Sequence, residues 1–472
     1  MSRELKVDLC VIGAGSGGLS VAAGAVQMGA SVVLIEAGEM GGDCLNYGCV
    51  PSKALLAAGK HARAMSSGAE FGVAPVAPEV NFAAAKEHVD RVIAGIAPHD
   101  SQERFEGLGV TVLREHARFV SDRVVEAGEV RVTARRFVIA TGSRPGVPPI
   151  SGLGDVDYFT NETIFGLQDR PEHLLVLGGG AIGLEMAQAH LRLGSRVTVI
   201  EAAELLGRED PDLREFVLSG LRKEGVAFRE GAAASNVRHE GEGIIVTLDG
   251  GEEIRGSHLL VAAGRQPNID DLGLEAAGIR STKAGIEVDA GLRSSNRRVY
   301  AIGDVAGQGQ FTHLAGAHAG LVVRSALFGL PVKATGLVVP RVLYTEPELA
   351  QVGLTEREAR EAHGDAIEVL TADYEGNDRA RTDGLTEGRI KVIVHKGKPV
   401  GAGIVGAQAG ELIGLWTLAI GSKTKISTIA GMVLPYPTLS EVSKRAAGSY
   451  YTPRLFENPM VKRIVRLVQR LP

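Results

Sequence analysis

Residues 7–39 read VDLCVIGAGSGGLSVAAGAVQMGASVVLIEAGE and decide the fold. An apolar run ends in a turn with Gly13, Gly15 and Gly18, an alanine-rich run follows, and a second apolar run ends on Glu36. This order of strand, glycine turn, helix, strand and acid predicts a βαβ unit that binds a dinucleotide. The first glycine makes the turn, the second lets backbone approach the pyrophosphate, and the third lets the helix pack against the strand.

The same plan recurs 165 residues later, in HLLVLGGGAIGLEMAQAHLRLGSRVTVIEAAE. Its glycines and acid are Gly178, Gly180, Gly183 and Glu201. A helix N-terminus faces the phosphates in such units, and the acid accepts hydrogen bonds from a ribose diol and repels a 2′-phosphate. We therefore expect two dinucleotide sites. Glu201 favours NADH, and Arg208, close by in sequence, leaves NADPH as a second possibility.

The composition restricts the classes of protein. A chain of 472 residues is too long for one ordinary core, so about two to four domains are expected. The net charge of −5 comes from interspersed acids and bases, without a basic run to hold nucleic acid. No apolar stretch reaches the roughly 18 residues of a membrane span, and no cleavable signal is recognisable. We expect a cytoplasmic protein that binds neither nucleic acid nor membrane.

Three further apolar runs end in glycine turns, at 137–145, 259–268 and 299–307, as buried strands of parallel sheets do. From Pro340 onward the pattern changes to alternating strand-like runs followed by a helical region from Ala409, which predicts a separate α+β domain. The segment 453–472 is basic and amphipathic, typical of a docking helix or a solvated face rather than a membrane anchor.

Cys44 and Cys49 lie five positions apart in GGDCLNYGCVPSKALLAAGKHA. On a regular helix their Cα atoms would be roughly 8 to 9 Å apart, beyond the roughly 7 Å that a disulfide tolerates. The backbone must therefore be distorted between them, and Gly48 and Pro51 allow this. A thiol near a helix N-terminus has a lowered pKa, which favours exchange chemistry. A redox pair is our main hypothesis. Two reduced core cysteines or half of a zinc site are the alternatives, although zinc needs about four ligands. Cys10, inside the first strand, is expected to be a small buried hydrophobe.

These motifs together resemble the class I pyridine nucleotide-disulfide oxidoreductases, which include dihydrolipoamide dehydrogenase, glutathione reductase and mercuric reductase. The resemblance covers essentially the whole chain and implies a glutathione reductase-like α/β fold with two Rossmann-like domains and a C-terminal α+β dimerisation domain. It implies an FAD-binding domain at 1–150, an NAD(P)-binding domain at 151–269, a central segment completing the FAD domain at 270–337, and a dimerisation domain at 338–472.

The resemblance also implies roles for individual residues. The first glycine turn with Glu36 would hold FAD, the second with Glu201 would hold the nicotinamide dinucleotide, and Asp304 would contact the flavin ribitol. Cys49 would be the thiol facing the flavin, Cys44 the thiol facing the substrate, and Lys53 would pair with Glu185. Further expected cofactor contacts are Gly42, Thr141, Gly142, Gly264, Arg265 and Gly303. No resident metal is expected.

The motif LPYPTLSEVSK departs from the disulfide-reducing members of the family. Those members carry a histidine where this chain has Tyr436, followed five residues later by a glutamate, here Glu441. A histidine with a pKa near 6.5 moves protons at neutral pH, whereas a tyrosine near 10 stays protonated and is a poor base. His313, His318 and His395 show no spacing that brings them to the thiols.

The resulting hypothesis is an FAD-dependent NAD(P)H oxidoreductase that passes electrons through Cys44 and Cys49 to a small thiol or disulfide, as dihydrolipoamide dehydrogenase does. Because of Tyr436, the alternatives are a mercuric reductase-like reductase of a metal ion or a quinone, or a pyridine nucleotide transhydrogenase. A flavoprotein redox sensor with little turnover is a third possibility. The resemblance implies a homodimer whose active site is shared across the interface.

Overall fold

The structure, a computed structural model, describes residues 3–471. The chain forms two compact units. The first contains the chain through Ser67 together with Val76–Ala202 and Arg229–Gly336. The second contains Gly68–Pro75, Ala203–Phe228 and the chain from Leu337 onward. Both glycine turns and the cysteine pair therefore belong to the first unit.

The α-helices are α1 Ser16–Gln27, α2 Gly42–Asn46, α3 Cys49–Met65, α4 Phe82–Ile96, α5 Gln102–Gly107, α6 Ala181–Arg192, α7 Pro211–Glu224, α8 Thr312–Phe328, α9 Glu356–His363, α10 Asp378–Thr382, α11 Ala409–Gly421, α12 Ile426–Ala430, α13 Glu441–Ser449 and α14 Pro459–Val468. The strands are β1 Arg3–Ile12, β2 Val32–Ile35, β3 Thr111–Leu113, β4 Ala117–Phe119, β5 Val124–Ala127, β6 Val130–Ile139, β7 Ser143–Pro145, β8 His173–Leu177, β9 Arg196–Glu201, β10 Ala227–Glu230, β11 Ala234–Glu240, β12 Gly243–Leu248, β13 Glu253–Gly256, β14 His258–Val261, β15 Arg265–Pro267, β16 Ser281–Thr282, β17 Gly285–Ile286, β18 Val299–Ala301, β19 Arg341–Leu343, β20 Glu348–Gly353, β21 Ile367–Asp373, β22 Arg389–His395 and β23 Lys398–Gly406.

The central sheet of the first unit has the strand order β3-β2-β1-β6-β5-β4, and β18 also pairs with β6. Neighbouring strands among β3, β2, β1, β6 and β18 are parallel, whereas β4 and β5 extend the sheet as an antiparallel hairpin. The last four residues of β1 and the last three of β6 are buried on both faces, as expected for strands covered by helices. The glycine turns after β1, β6 and β18 consequently meet at one edge of this sheet.

A second sheet in the order β10-β9-β8-β14 contains the repeated motif. β8 pairs in parallel with both β9 and β14, so Gly178 and Gly264, which follow β8 and β14, lie at the same edge. A separate antiparallel sheet, β11-β12-β13, follows in the chain. Both predicted βαβ units are confirmed.

The third glycine of each turn lies against the first. A Cβ atom on Gly18 would lie 1.8 Å from the carbonyl oxygen of Gly13, and one on Gly183 would lie 2.0 Å from that of Gly178. Gly13 and Gly178 also have φ angles of +103° and +114°, which residues with a Cβ rarely adopt. Only glycine therefore lets each helix begin so close to its strand.

The second unit is built on an antiparallel sheet in the order β19-β20-β23-β22-β21. Its core includes Trp416 of α11, which is fully buried and donates a hydrogen bond from Nε1 to Ser443 Oγ at 3.1 Å. Helices packed on an antiparallel sheet make this an α+β unit, as the sequence predicts. Among residues 3–471, no helix has both the length and the apolar character that crossing a membrane requires.

Replacing Gly183 with alanine should lower the midpoint of thermal unfolding, followed by circular dichroism. The added methyl group would force α6 away from β8, and overpacking of this kind costs about 1–3 kcal/mol. Gly320→Ala is the matched control, because Gly320 lies on α8 with room for a Cβ among the described residues. There alanine should be neutral or stabilising by up to about 1 kcal/mol. Equal midpoints for the two variants would contradict this account.

Candidate functional site

Glu36 holds the first glycine turn in place. The Ala14 amide donates to Glu36 Oε2 at 2.5 Å, and the Gly38 amide donates to Oε1 at 2.6 Å. The N-cap of α1 is Gly15, which has no side chain to occupy the first-turn amides. These amides, at the positive end of the helix, suit an anionic pyrophosphate.

The segment that carries the cysteines passes directly over this turn. A Cβ on Gly42 would lie 2.8 Å from the Cα of Gly15, and Gly15 and Gly41 form a parallel bridge. The turn thus presents backbone without side chains, and the Glu36 carboxylate lies at its outer end. These features fit the diphosphate and ribose of FAD.

The second turn repeats the same hydrogen bond. The Gly179 amide donates to Glu201 Oε2 at 2.7 Å, and Gly180 is the N-cap of α6. The second turn differs in its cover, because a Cβ on Gly180 would meet no described atom within 4 Å. The second turn is therefore open at Gly180, whereas the cysteine segment covers the first turn at the equivalent Gly15.

The helix is interrupted between the two cysteines, as predicted. Cys44 lies in α2, α2 ends at Asn46, and Cys49 is the first residue of α3. Gly48 is needed at the break because a Cβ there would lie 2.9 Å from Asp43 Oδ2. All three cysteines are free thiols, and Cys10 is fully buried in β1 as expected.

The two thiols share one proton unequally. A hydrogen bond from the Cys44 thiol to the Cys49 sulfur lowers the pKa of Cys49 to about 6, with further help from Thr312 and Lys53 and against the effect of burial. The same bond, together with burial, raises the pKa of Cys44. At neutral pH, Cys49 is therefore the thiolate and Cys44 the thiol.

Thr312 and Lys53 flank the thiolate from two helices. Thr312, the first residue of α8, places Oγ1 3.7 Å from Cys49 Sγ. Lys53 lies one helical turn after Cys49 and pairs with the buried Glu185 of α6 at 2.7 Å, so the predicted contact between Lys53 and Glu185 is confirmed. The sequence analysis did not select Thr312, because no motif in the sequence marks it.

Two side chains from elsewhere in the first unit, Asn161 and Arg265, clamp α2 in place. The Asn161 amide nitrogen donates to Asp43 Oδ1 at 2.9 Å and to the Tyr47 carbonyl at 3.1 Å, at opposite ends of α2. The Arg265 guanidinium also pairs with Asp43 Oδ1 at 3.1 Å. Asp43 and Asn161, which the sequence analysis did not select, thus fix the helix that carries Cys44.

Arg265 continues this network to Asp304. Its Nε donates to Ser143 Oγ at 2.7 Å, and Ser143 Oγ donates to Asp304 Oδ2 at 2.5 Å. Burial raises the pKa of Asp304, and the Ser143 bond opposes that shift. Nearby, Thr141 Oγ1 donates to the Asn268 carbonyl and the Gly142 carbonyl accepts from the Asn268 amide. The residues selected from the turns after β6, β14 and β18 are therefore linked by hydrogen bonds and lie close together.

A cavity of about 390 Å³ opens beside Cys44. Its lining residues come from α1, the cysteine segment, the α4–α5 region and the start of α8. They are Ser16, Leu19, Ser20, Ala23, Gly41, Cys44, Leu45, Val50, Ile96, Asp100, Arg104, Phe105 and Thr312. Asp100 and Arg104 are the charged lining residues, and burial raises the pKa of Asp100. The cavity has room for a small reactant at the Cys44 thiol.

Tyr436 and Glu441 belong to the second unit. Tyr436 is 70% exposed, and its hydroxyl donates to Asp378 Oδ2 at 3.0 Å. The Asp378 carboxylate raises the pKa of the Tyr436 phenol. Glu441 begins α13. The phenol is therefore held as a hydrogen-bond donor and is a poor base.

Removing the Cys44 thiol should move the titration of Cys49 upward. In the reduced protein, the rate of Cys49 alkylation by iodoacetamide, followed by mass spectrometry, should reach half its maximum near pH 6. In Cys44→Ala this midpoint should rise by at least about one unit, since a hydrogen bond to the thiolate is lost. Cys10→Ala, a buried cysteine in β1, should leave the midpoint unchanged. An unchanged midpoint in Cys44→Ala would mean that Cys44 does not stabilise the thiolate.

Loosening the clamp on α2 should have a similar but smaller effect. Asn161→Ala removes both amide bonds, so Cys44 is held less firmly and the Cys49 alkylation midpoint should rise by about half a unit or more. Asn296→Ala is the matched control, since the Asn296 amide also donates to two carbonyl groups. If both variants titrate like the native protein, the clamp does not position the thiols.

Two protein-family profiles match this chain. One, described as pyridine nucleotide-disulphide oxidoreductase, covers residues 7–319, and the other, described as the dimerisation domain of the same family, covers residues 339–447. The latter indicates a homodimer.

Related proteins align with this chain over nearly its full length and nearly their own. A mercuric reductase of Streptomyces lividans is 37% identical over 94% of this chain and 96% of its own length. A dihydrolipoyl dehydrogenase of Thermus scotoductus is 38% identical over 93% of this chain and 96% of its own length. The chain is thus about equally similar in sequence to a mercuric reductase and to a dihydrolipoyl dehydrogenase.

Solved structures share the fold. The HOCl-induced flavoprotein disulfide reductase RclA of Escherichia coli, in a Cu(II) complex, superposes with a TM-score of 0.85 at 27% identity, covering 94% of this chain and 99% of that one. LpdA of Mycobacterium tuberculosis superposes with a TM-score of 0.86 at 25% identity, covering 94% and 100%. With its glutathione reductase-like fold, the chain belongs to the pyridine nucleotide-disulphide oxidoreductases, flavin-dependent enzymes that bind FAD and NAD(P)H.

Proposed function

We propose that this protein uses NADH to reduce a metal ion that binds thiolates, mercuric or cupric, through the Cys44–Cys49 pair. The observation that carries the proposal is the hydrogen bond from the Tyr436 hydroxyl to Asp378, in the motif where disulfide-reducing members have a histidine. The first glycine turn and Glu36 would hold FAD, whose chemistry would be two-electron transfer between NADH and the cysteine disulfide. Glu201 would bind the ribose of NADH.

The proton balance favours such an acceptor. When the pair is oxidised to the disulfide, one S–S bond forms, two electrons leave, and the Cys44 thiol releases one proton. Reduction of one mercuric ion to the metal, or of two cupric ions to cuprous, consumes two electrons and no proton. Reduction of a disulfide to two thiols consumes two protons as well, and this is the step for which an imidazole is useful.

The thiols themselves provide the ligands for the metal ion. Thiolate sulfur prefers soft metals, and Cys49 is already ionised at neutral pH. Among residues 3–471, no cluster of three or more histidine, cysteine or acidic side chains is arranged to hold a metal. The ion would therefore be held by Cys44 and Cys49 and would reach them through the cavity beside Cys44.

The domain boundaries are part of the same proposal. We assign FAD binding to residues 1–150 and 270–337, nicotinamide binding to 151–269, and dimerisation to 338–472. In the homodimer, Tyr436 and Glu441 of one subunit would complete the cysteine site of the other. The Tyr436 phenol would then act as a hydrogen-bond donor there.

A small disulfide is the second candidate acceptor, because one histidine is the sequence neighbour of the threonine that contacts the thiolate. His313 directly follows Thr312, whose hydroxyl lies 3.7 Å from Cys49 Sγ, and its ring stacks on Phe311 with centroids 5.3 Å apart. If His313 replaces the missing imidazole, lipoamide turnover should be substantial in the native enzyme and should be lost in His313→Ala.

The test compares acceptors in the purified yellow enzyme. We expect NADH oxidation with mercuric ion to exceed that with lipoamide by at least about tenfold in kcat/KM, equal to about 1.4 kcal/mol. Tyr436→His should raise lipoamide turnover by about tenfold or more, since an imidazole contributes about 100-fold or more as a general base when well placed. Tyr344→His, a second exposed tyrosine of the same unit, is the control and should change neither activity.

Cys44→Ser tests whether the pair conducts the electrons. Metal-ion reduction should fall by at least about 100-fold, because the substrate-side thiol is lost. Undiminished metal reduction would leave only flavin chemistry and would favour a transhydrogenase. Brisk lipoamide turnover in the native enzyme, insensitive to Tyr436→His, would reject the metal ion as the preferred acceptor.

A further inference from the structure

Helix α14 displays an unpartnered amphipathic surface. None of its residues is buried in the part of the chain that the structure describes. Its most exposed apolar side chains are Met460, Ile464, Leu467 and Val468, each between 53% and 69% exposed. At about 100° per residue they form, with the valines between them, an arc of roughly 160°.

The opposite side of the same segment, which also includes Pro459, is mostly cationic. It carries Lys462, Arg463, Arg466 and Arg470, and residues 458–472 contain no acid. These cations span roughly 100° of the helix, centred opposite the apolar arc. An all-basic polar face beside a broad apolar face is typical of helices that lie in the interface of anionic membranes.

The connection to α14 is anchored to the second unit and adds to the apolar surface. Arg454 pairs with Glu368 of β21 at 2.8 Å, and its guanidinium lies 3.6 Å from the centroid of the Tyr450 ring. Phe456, which follows in the same π-helical turn, is 69% exposed. The turn thus presents α14 from a fixed point, with an exposed aromatic ring at its start.

We propose that α14 docks the protein reversibly on an anionic lipid surface. The arginines and the lysine would lie among the headgroups, while Ile464, Leu467 and their neighbours would enter the acyl boundary. Charge complementarity selects lipid among the possible occupants, because the polar face lacks the mixed charges of a helix packed on protein. The proposal differs from the sequence-based expectation of no membrane partner, and it is independent of the acceptor.

Vesicle sedimentation of the full-length holoenzyme tests the proposal. Binding to vesicles containing about one third phosphatidylglycerol should be at least about tenfold tighter than binding to phosphatidylcholine vesicles, and it should weaken as salt is raised. The double variants Arg463→Glu/Arg466→Glu and Ile464→Asp/Leu467→Asp should each lose at least about tenfold in affinity. The control Arg222→Glu/Lys223→Glu reverses two exposed cations on α7 and should bind as the native protein does.

Flavin content and light scattering of the same variants decide between occupants. Retained flavin and an unchanged oligomeric state, together with lost vesicle binding, support lipid docking. Dissociation of the oligomer by Ile464→Asp/Leu467→Asp would show that α14 packs on a second copy, and it would overturn the proposal. Equal binding to neutral and anionic vesicles, or binding to neither, would also overturn it.

Discussion

The close approach of Gly42 to Gly15 is the constraint on which the rest of the candidate site depends. It depends on the lack of a side chain at Gly42, where a Cβ would lie 2.8 Å from Gly15 Cα, and it lays the cysteine segment across the turn that receives the nucleotide. Once α2 begins there, the break at Gly48 follows within one short helix, and Cys49 starts α3 beside Thr312. A redox pair next to a dinucleotide site is therefore a consequence of backbone geometry before any side-chain chemistry is considered.

The electrostatics around the pair are carried by residues distant in sequence. Asp43 is 118 positions from Asn161 and 222 positions from Arg265, yet all three meet at α2. The carboxylate of Asp43 disfavours a second negative charge at either thiol, while Lys53 and Thr312 favour the charge on Cys49. The pair is thus set to hold a single negative charge, on the sulfur at the start of α3.

Much of this could be predicted from the sequence because the determining signals are local. Each glycine turn and its acid lie within one βαβ unit, and the helix break follows from the impossibility of joining Cys44 to Cys49 on a regular helix. The contacts of Asn161, Ser143 and Thr312 could not be predicted, since they arise where separate elements pack. The hydrogen bond between Tyr436 and Asp378 joins residues 58 positions apart. It shows that the tyrosine in place of the histidine acts as a hydrogen-bond donor.

The two glycine turns share a hydrogen bond from a backbone amide to an acid, but only the first turn is covered by another segment of the chain. In each turn, a carboxylate already accepts a hydrogen bond from a backbone amide and thereby holds the loop in one conformation. Little conformational entropy is therefore lost when a nucleotide binds. The difference must then appear in how fast a bound nucleotide leaves. The first turn lies beneath the cysteine segment and is suited to a cofactor that stays through many catalytic cycles. The second is open at Gly180, which suits a cosubstrate whose residence time must be shorter than one turnover.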